Sequence, residues 1–177
     1  FACLFLTSVA YPSQEAALPS AMSQTSSCSS IAQIDSIKKS AQQGDAKAQC
    51  NLGIMYSQGQ GIAKDDREAF KWLSKAAEQQ YAPAQLELGV LYSQGRGIKE
   101  DLRKAFELFF SAAQQQCAPA QYNLGAFYEK GTGVEQNWKE AVKWYTAAAL
   151  QQFAPAQHNL GVLYAHCLLY TSDAADE

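Results

Sequence analysis

Histidine is nearly missing from the 177 residues. His158 and His166 are the only two, eight positions apart, with no cysteine or carboxylate beside them at metal-ligand spacing. That points to a surface or groove role and away from a metal centre. An excess of positive charge is also lacking: 14 Lys and Arg face 17 Asp and Glu, which removes the usual electrostatic basis for holding nucleic acid. No window alternates apolar and polar residues with period two, so no strand is expected and the fold class is all-α. The longest apolar opening, FACLFLTSVA, covers residues 1–10 and is too short to span a bilayer by itself. Cysteine occurs five times without regular spacing, which forms neither a disulfide framework nor a zinc site. For Cys28, Cys50 and Cys117, a single bridge in an oxidising compartment and free thiols both stay open.

The two ends are read as processing or cloning features. Residues 1–10 close on Ser8-Val9-Ala10, small residues at the −3 and −1 places of a signal-peptidase site, and we expect a truncated signal remnant there. This implies the secretory pathway: periplasm or exterior in a bacterium, endoplasmic reticulum lumen in a eukaryote. A membrane contact is expected only if that segment is an uncleaved anchor. Residues 11–30 are rich in Ser, Ala, Pro and Gln and poor in large apolar residues, hence a disordered linker. Residues 167–177, CLLYTSDAADE, resemble a translated sequencing adaptor, and we expect a non-native read-through tail on a fragment. Without Asp173, Asp176 and Glu177, acids and bases balance and the net charge of −3 becomes zero.

Between the ends the chain repeats itself. AQCNLG, AQLELG, AQYNLG and AQHNLG begin at Ala48, Ala84, Ala120 and Ala156, each step being 36 residues. Tyr56, Tyr92, Tyr128 and Tyr164 follow in phase, then GQGI, GRGI and GTGV, then DREAF, DLRKAF and NWKEAV. Units fall at about 46–81, 82–117 and 118–153, with a partial unit at 154–166. The repeat region as a whole covers 31–166, opened by a helix expected to be capped by Ser30 and Gln33.

Each unit reads as two antiparallel helices. In the first (A), Ala84, Leu88, Gly89 and Tyr92 share one face, and a GxG turn ends the helix. The second (B) follows Asp65, Asp101 or Asn137, all good N-caps, and Glu68 and Glu140 complete a capping-box pattern. Gly53, Gly89, Gly125 and Gly161 fall inside A at one phase, where glycine costs about 0.5–1 kcal/mol against alanine. Their recurrence predicts that another backbone, on an Ala-rich B face, comes too close for a β-carbon.

These residues resemble the Sel-1-like repeat (SLR) family, a relative of the tetratricopeptide repeats. AQCNLGIMYSQGQGIAKDDREAFKWLSKAA, Ala48 to Ala77, meets the family signature nearly in full. The resemblance implies a right-handed α/α superhelix, a solenoid of helix-turn-helix repeats that acts as a protein-interaction adaptor without cofactors. One departure stands out. The family usually ends helix B on Gly, as at Gly44, but the later units carry Gln80, Gln116 and Gln152. Either the turn is reshaped or helix B runs longer.

Catalytic patterns are thin. GQGIAK, GRGIKE and GTGVEQ lack the third glycine, the Lys-Ser/Thr and the preceding strand of a phosphate loop, so they read as turns. Ser36 and Lys39 fit S-x-x-K, but no SDN accompanies them and KGTG at 130–133 is not KTG. No enzyme is expected. The partner is expected to be a protein or peptide, with no nucleic acid and no small-molecule cofactor, held on the concave face that A helices line in a solenoid. The residues assigned to that face are Leu86, Glu87, Val90, Tyr122, Asn123, Ala126, His158 and Asn159. The alternatives are a β-lactam-interacting hydrolase of the cysteine-rich repeat type and a purely structural spacer.

Overall fold

The computed structural model describes residues 26–173, with side chains described from 32 to 164. The signal remnant, most of the linker and the last four residues lie outside the described residues. Eight helices follow in order: α1 Ser26–Gln42, α2 Ala46–Gln58, α3 Asp66–Glu78, α4 Ala82–Gln94, α5 Leu102–Gln114, α6 Ala118–Lys130, α7 Trp138–Leu150 and α8 Ala154–Asp173. There is no strand among the described residues. The A helices are α2, α4, α6 and α8; the B helices are α3, α5 and α7. Each packs on its neighbours in sequence, and α2 also touches α4, so the A helices form the inner row of an all-α solenoid.

Helix boundaries follow the expected chemistry with two changes. Asp65 accepts from the N–H groups of Arg67 and Glu68, Asp101 from Lys104, and Asn137 from Lys139 and Glu140. The capping boxes are not closed, however. The N–H of Asp65 goes to the Tyr56 carbonyl and that of Asn137 to the Tyr128 carbonyl. Glu68 and Glu140 instead pair with Lys71 and Lys143, one turn on. The second change is at α1, which begins at Ser26, four residues before Ser30, inside the stretch read as linker.

Gly59, Gly95 and Gly131 end the A helices at φ of 73°, 64° and 68°. The B helices end on glutamine in that same left-handed region, at φ 59°, 62° and 61° for Gln80, Gln116 and Gln152. The turn keeps the geometry a glycine would supply, and the amides around it are tied down. Gln85 Nε2 donates to Gln80 Oε1 at 3.1 Å. Within each unit, the end of helix B is tied to helix A: Gln79, Gln115 and Gln151 donate to the buried Gln49, Gln85 and Gln121 at 2.8, 2.8 and 2.7 Å. Gln49 and Gln121 in turn donate to the Ala41 and Ala113 carbonyls. These glutamines fill the need of buried polar groups for partners and lock each unit to the next.

Three of the interior glycines meet a side chain first, and Gly53 also meets backbone, the Leu73 nitrogen at 3.2 Å; Gly161 has nothing within 4 Å. A β-carbon on Gly53 would lie 2.6 Å from Leu73 Cγ, on Gly89 2.7 Å from the Phe109 ring, and on Gly125 2.8 Å from the Tyr145 ring. The expected Ala-rich backbone contact is therefore a large B-helix side chain seated on the glycine. The closest backbone approach occurs elsewhere, at the second glycine of GxG. A β-carbon on Gly97 would be 2.3 Å from the Asp66 carbonyl oxygen, and on Gly133 2.6 Å from that of Leu102. The second and third GxG turns thus rest on the first turn of the preceding unit's B helix, whereas Gly61 in the first meets the Ile34 side chain of α1. At the first such joint, Arg96 reinforces the contact by donating to the Ser57 carbonyl and the Asp66 carboxylate.

Candidate functional site

Two covers hide most of α2, α4 and α6: the helix before and the helix after each. The accessible residues of the A helices include a strip at 51, 87, 123 and 159, with 54, 90, 126 and 162 one turn further along. Asn51 and Val162 are exposed; Glu87, Val90, Asn123, Ala126 and Asn159 are half-buried. The strip mixes amides and one carboxylate with small apolar groups.

The neighbouring phase, also expected to face a partner, is mostly packing. Leu86 is buried, like Cys50 before it, and Tyr122 is half-buried. A shift of one residue turns a side chain about 100° around the helix, and that places these three under the start of the next A helix. Tyr81 packs against the cluster that contains Cys50, Cys117 against the one that contains Leu86, and the Tyr122 ring lies 5.6 Å from Phe153. Leu86 and Tyr122 thus take part in the joints between units. His158, at the last position of this phase, is exposed.

The third unit contains a polar chain that sequence reading passed over. Tyr145 is fully buried against Gly125, and its hydroxyl donates to Glu129 Oε2 at 2.5 Å. Asn159 Nδ2 donates to the Tyr145 and Tyr122 hydroxyl oxygens at 3.3 Å each. Burial, then the hydrogen bond to Glu129, pushes the Tyr145 hydroxyl well above the usual tyrosine range. Asn159 is therefore engaged within the protein. The signal was present in the repeat: Leu73, Phe109 and Tyr145 align, as do Ser57, Ser93 and Glu129, so hydroxyl and carboxylate arrive together in one unit.

Glu87 differs from its strip neighbours. Burial raises its carboxyl above the usual range, and the more distant Arg96 charge pulls the other way. No described cation forms an ion pair with it. Burial, then the charge on Glu87, pushes the Cys50 thiol up to about 12, and burial raises Cys117 as well. Both thiols are free, so no bridge joins these two, and both stay protonated near neutrality. The side chain of Cys28 lies outside the described residues.

A pH-dependent stability follows from Glu87. A carboxyl whose pKa is higher folded than unfolded lends stability that is full below its unfolded value, near 4.5, and is lost as pH rises through the folded value. Glu87→Gln removes that loss. We expect its melting temperature to match the wild type below pH 4.5 and to exceed it near pH 7. Parallel melting curves across pH 4–8 would remove Glu87 as the strained group.

A second concavity opens on the outer side, between α3 and α5. It holds about 450 Å³ and is lined by Ser74 and Glu78 on one wall, Lys104, Glu107 and Leu108 on the other, and Leu88 and Tyr92 below. The S-x-x-K pair is not enclosed by anything comparable: Ser36 and Lys39 are both exposed on α1. Among the described residues no group of three or more His, Cys, Asp or Glu could hold a metal ion, and no helix is long and apolar enough to cross a membrane.

The family model described as Sel1 repeat matches residues 46–81, 82–117, 118–153 and 154–169. The chain belongs to the Sel1 repeat family. Solved Sel1 structures agree. A Sel1 repeat protein from Oxalobacter formigenes is 38% identical with a TM-score of 0.66, over 73% of this chain and 97% of that one. The antigen c5321 of uropathogenic Escherichia coli, which displays the SLR fold, is 39% identical with a TM-score of 0.71; the match covers 74% of this chain and 28% of that one. Cysteine rich protein B of Helicobacter pylori is 31% identical with a TM-score of 0.57, over 72% and 96%. No match was found among curated proteins. Sel1 repeats are in general scaffolds for protein–protein interaction, without catalytic machinery of their own.

Proposed function

We propose that this Sel1 solenoid is a non-catalytic adaptor that binds a peptide or protein segment along the inner strip of α4 and α6, through Glu87, Val90, Asn123 and Ala126. The observation that carries this reading is Glu87, a half-buried carboxylate without an ion pair, placed mid-strip between apolar groups and the Asn123 amide. A partly desolvated carboxylate gains more from a partner's cation than an exposed one does. Val90 and Ala126 offer apolar contact on either side, and Asn123 offers both a donor and an acceptor to an extended backbone. Recognition then rests on one basic residue of the partner and on backbone hydrogen bonds around it.

A random peptide library displayed on phage tests this. Peptides selected on the wild-type chain are expected to share a Lys or Arg. Glu87→Gln is expected to weaken them about tenfold, corresponding to ~1.4 kcal/mol, and Asn123→Ala to weaken them less. Selected peptides without a common basic residue, bound equally well by both variants, would overturn the assignment.

A further inference from the structure

The steps between successive outer helices are built on one frame but filled differently. At the step from α1 to α3, Trp72 packs over the inner layer with Lys75 Nζ 4.5 Å above its ring. At the step from α5 to α7, Trp144 takes the equivalent place and Phe110 meets it edge-on at 6.0 Å. The middle step, from α3 to α5, has Leu108 where those tryptophans stand and Ser74 where Phe110 stands. Its frame is otherwise the same: Phe70 meets Tyr92 edge-on at 5.6 Å, as Phe106 meets Tyr128 at 5.4 Å. Two smaller residues on an unchanged frame leave the outer groove of about 450 Å³ open, floored by Leu88 and Tyr92.

The rim carries charge. Glu78 and Glu107 are exposed on the two walls and neither forms an ion pair with a described residue. Lys104, also exposed, stands 3.9 Å from the Asp101 carboxylate with Nζ 5.5 Å from the Tyr92 ring centre. The groove therefore presents an aromatic-sized apolar floor with two free carboxylates at its mouth.

We propose that this groove is a docking site for an aromatic side chain of a partner polypeptide that carries a basic residue next to it. The ring takes the place that Phe110 and Trp144 take one unit further on, and the cation lies between Glu78 and Glu107. Edge-on contact with Tyr92 and coverage of Leu88 and Leu108 supply the attraction, and the carboxylates select the flanking charge. The site is on the outer row of helices, opposite the strip that contains Glu87, so it stands or falls separately from that strip.

The test is a heteronuclear NMR titration of the full chain with N-acetyl-Trp-Lys-amide, alongside N-acetyl-Leu-Lys-amide and N-acetyl-Trp-Glu-amide. Saturable shifts are expected around Leu88, Tyr92, Leu108 and Ser111, with the Trp-Lys probe at least about fivefold tighter than the other two, a difference of ~1 kcal/mol. Leu108→Trp, which copies the residue of the flanking units, is expected to keep the fold and abolish the shifts. Should that variant lose its fold, Glu78→Gln with Glu107→Gln serves instead: it is expected to erase the preference for Lys over Glu while retaining ring binding. No saturable shifts, shifts confined to other surfaces, equal binding of the Leu probe, or a preference for Lys that survives the double glutamine variant would each overturn the proposal.

Discussion

Gly97→Ala is expected to destabilise the solenoid by about 3–5 kcal/mol, a loss large enough to separate the units at either side of the substitution. Two costs coincide at this residue. Its φ of +70° is one that L-residues adopt at a cost of roughly 1–2 kcal/mol. The new β-carbon would also stand 2.3 Å from the Asp66 carbonyl oxygen and 2.5 Å from its carbon. Both belong to helix backbone, which cannot swing aside as a flexible side chain can. Relief requires lifting the GRGI turn off the start of α3, and the Arg96 bonds to Ser57 and Asp66 go with it. Gly44 separates the two costs, since it has φ +96° but nothing within 4 Å of a β-carbon. Gly44→Ala is therefore expected to cost only about 1 kcal/mol. Urea unfolding of both variants measures the difference; equal midpoints would show that the turn does not bear on the preceding unit.

The second large effect concerns the interior glycines. Gly89→Leu is expected to cost about 3 kcal/mol or more, because its β-carbon alone would reach 2.7 Å from a Phe109 ring that is only 2% exposed. Phe109 has little room to retreat, since it packs edge-on against Phe127 at 5.3 Å. Gly161 occupies the same phase in α8 but has nothing within 4 Å, because no described B helix covers it. Gly161→Ala is accordingly expected to stabilise, by up to ~1 kcal/mol of helix propensity. Thermal unfolding of the pair reads both signs in one experiment. A neutral Gly89→Leu would refute the packing account, and a destabilising Gly161→Ala would imply a cover for α8 in solution.

Much of this architecture was written in the 36-residue period. Once Ala, Leu-Gly, Tyr and GxG recur in phase, helix pairs, their ends and their order follow, because each signal is local: a cap, a turn residue, an apolar spacing. What the period does not carry is which atom presses on which. The same recurrence of Gly89 suits a backbone neighbour or a phenyl ring, and only the three-dimensional packing selects the ring. Likewise the AQ dipeptide looked like part of a motif, whereas its glutamine is a buried rung: Gln85 accepts from helix B of its own unit and donates to Gln80 of the unit before. The left-handed Gln80 was undecided for a related reason, since the side-chain partners that fix it come from the next unit.

The site was legible to a lesser extent. The concave A-helix face, as expected from the sequence, takes in positions 86, 87, 122 and 123 together, but helical geometry divides them. Leu86 and Tyr122 turn under the next A helix, while Glu87 and Asn123 stay on the accessible strip. Periodicity alone cannot make that division, because adjacent residues vary for different reasons: one must fit the neighbouring unit and the other faces outward. The outer groove escaped notice because it is defined by what Ser74 and Leu108 fail to fill.

The inner strip is tested most directly by mapping where a bound peptide lies. In a heteronuclear NMR titration with a library-selected basic peptide, shifts are expected at Glu87, Val90, Asn123 and Ala126 on α4 and α6, and Ala126→Arg is expected to abolish them. Shifts confined to α3, α5 and α7, or binding unchanged by Ala126→Arg, would contradict the assignment of the A-helix strip as the partner-binding face.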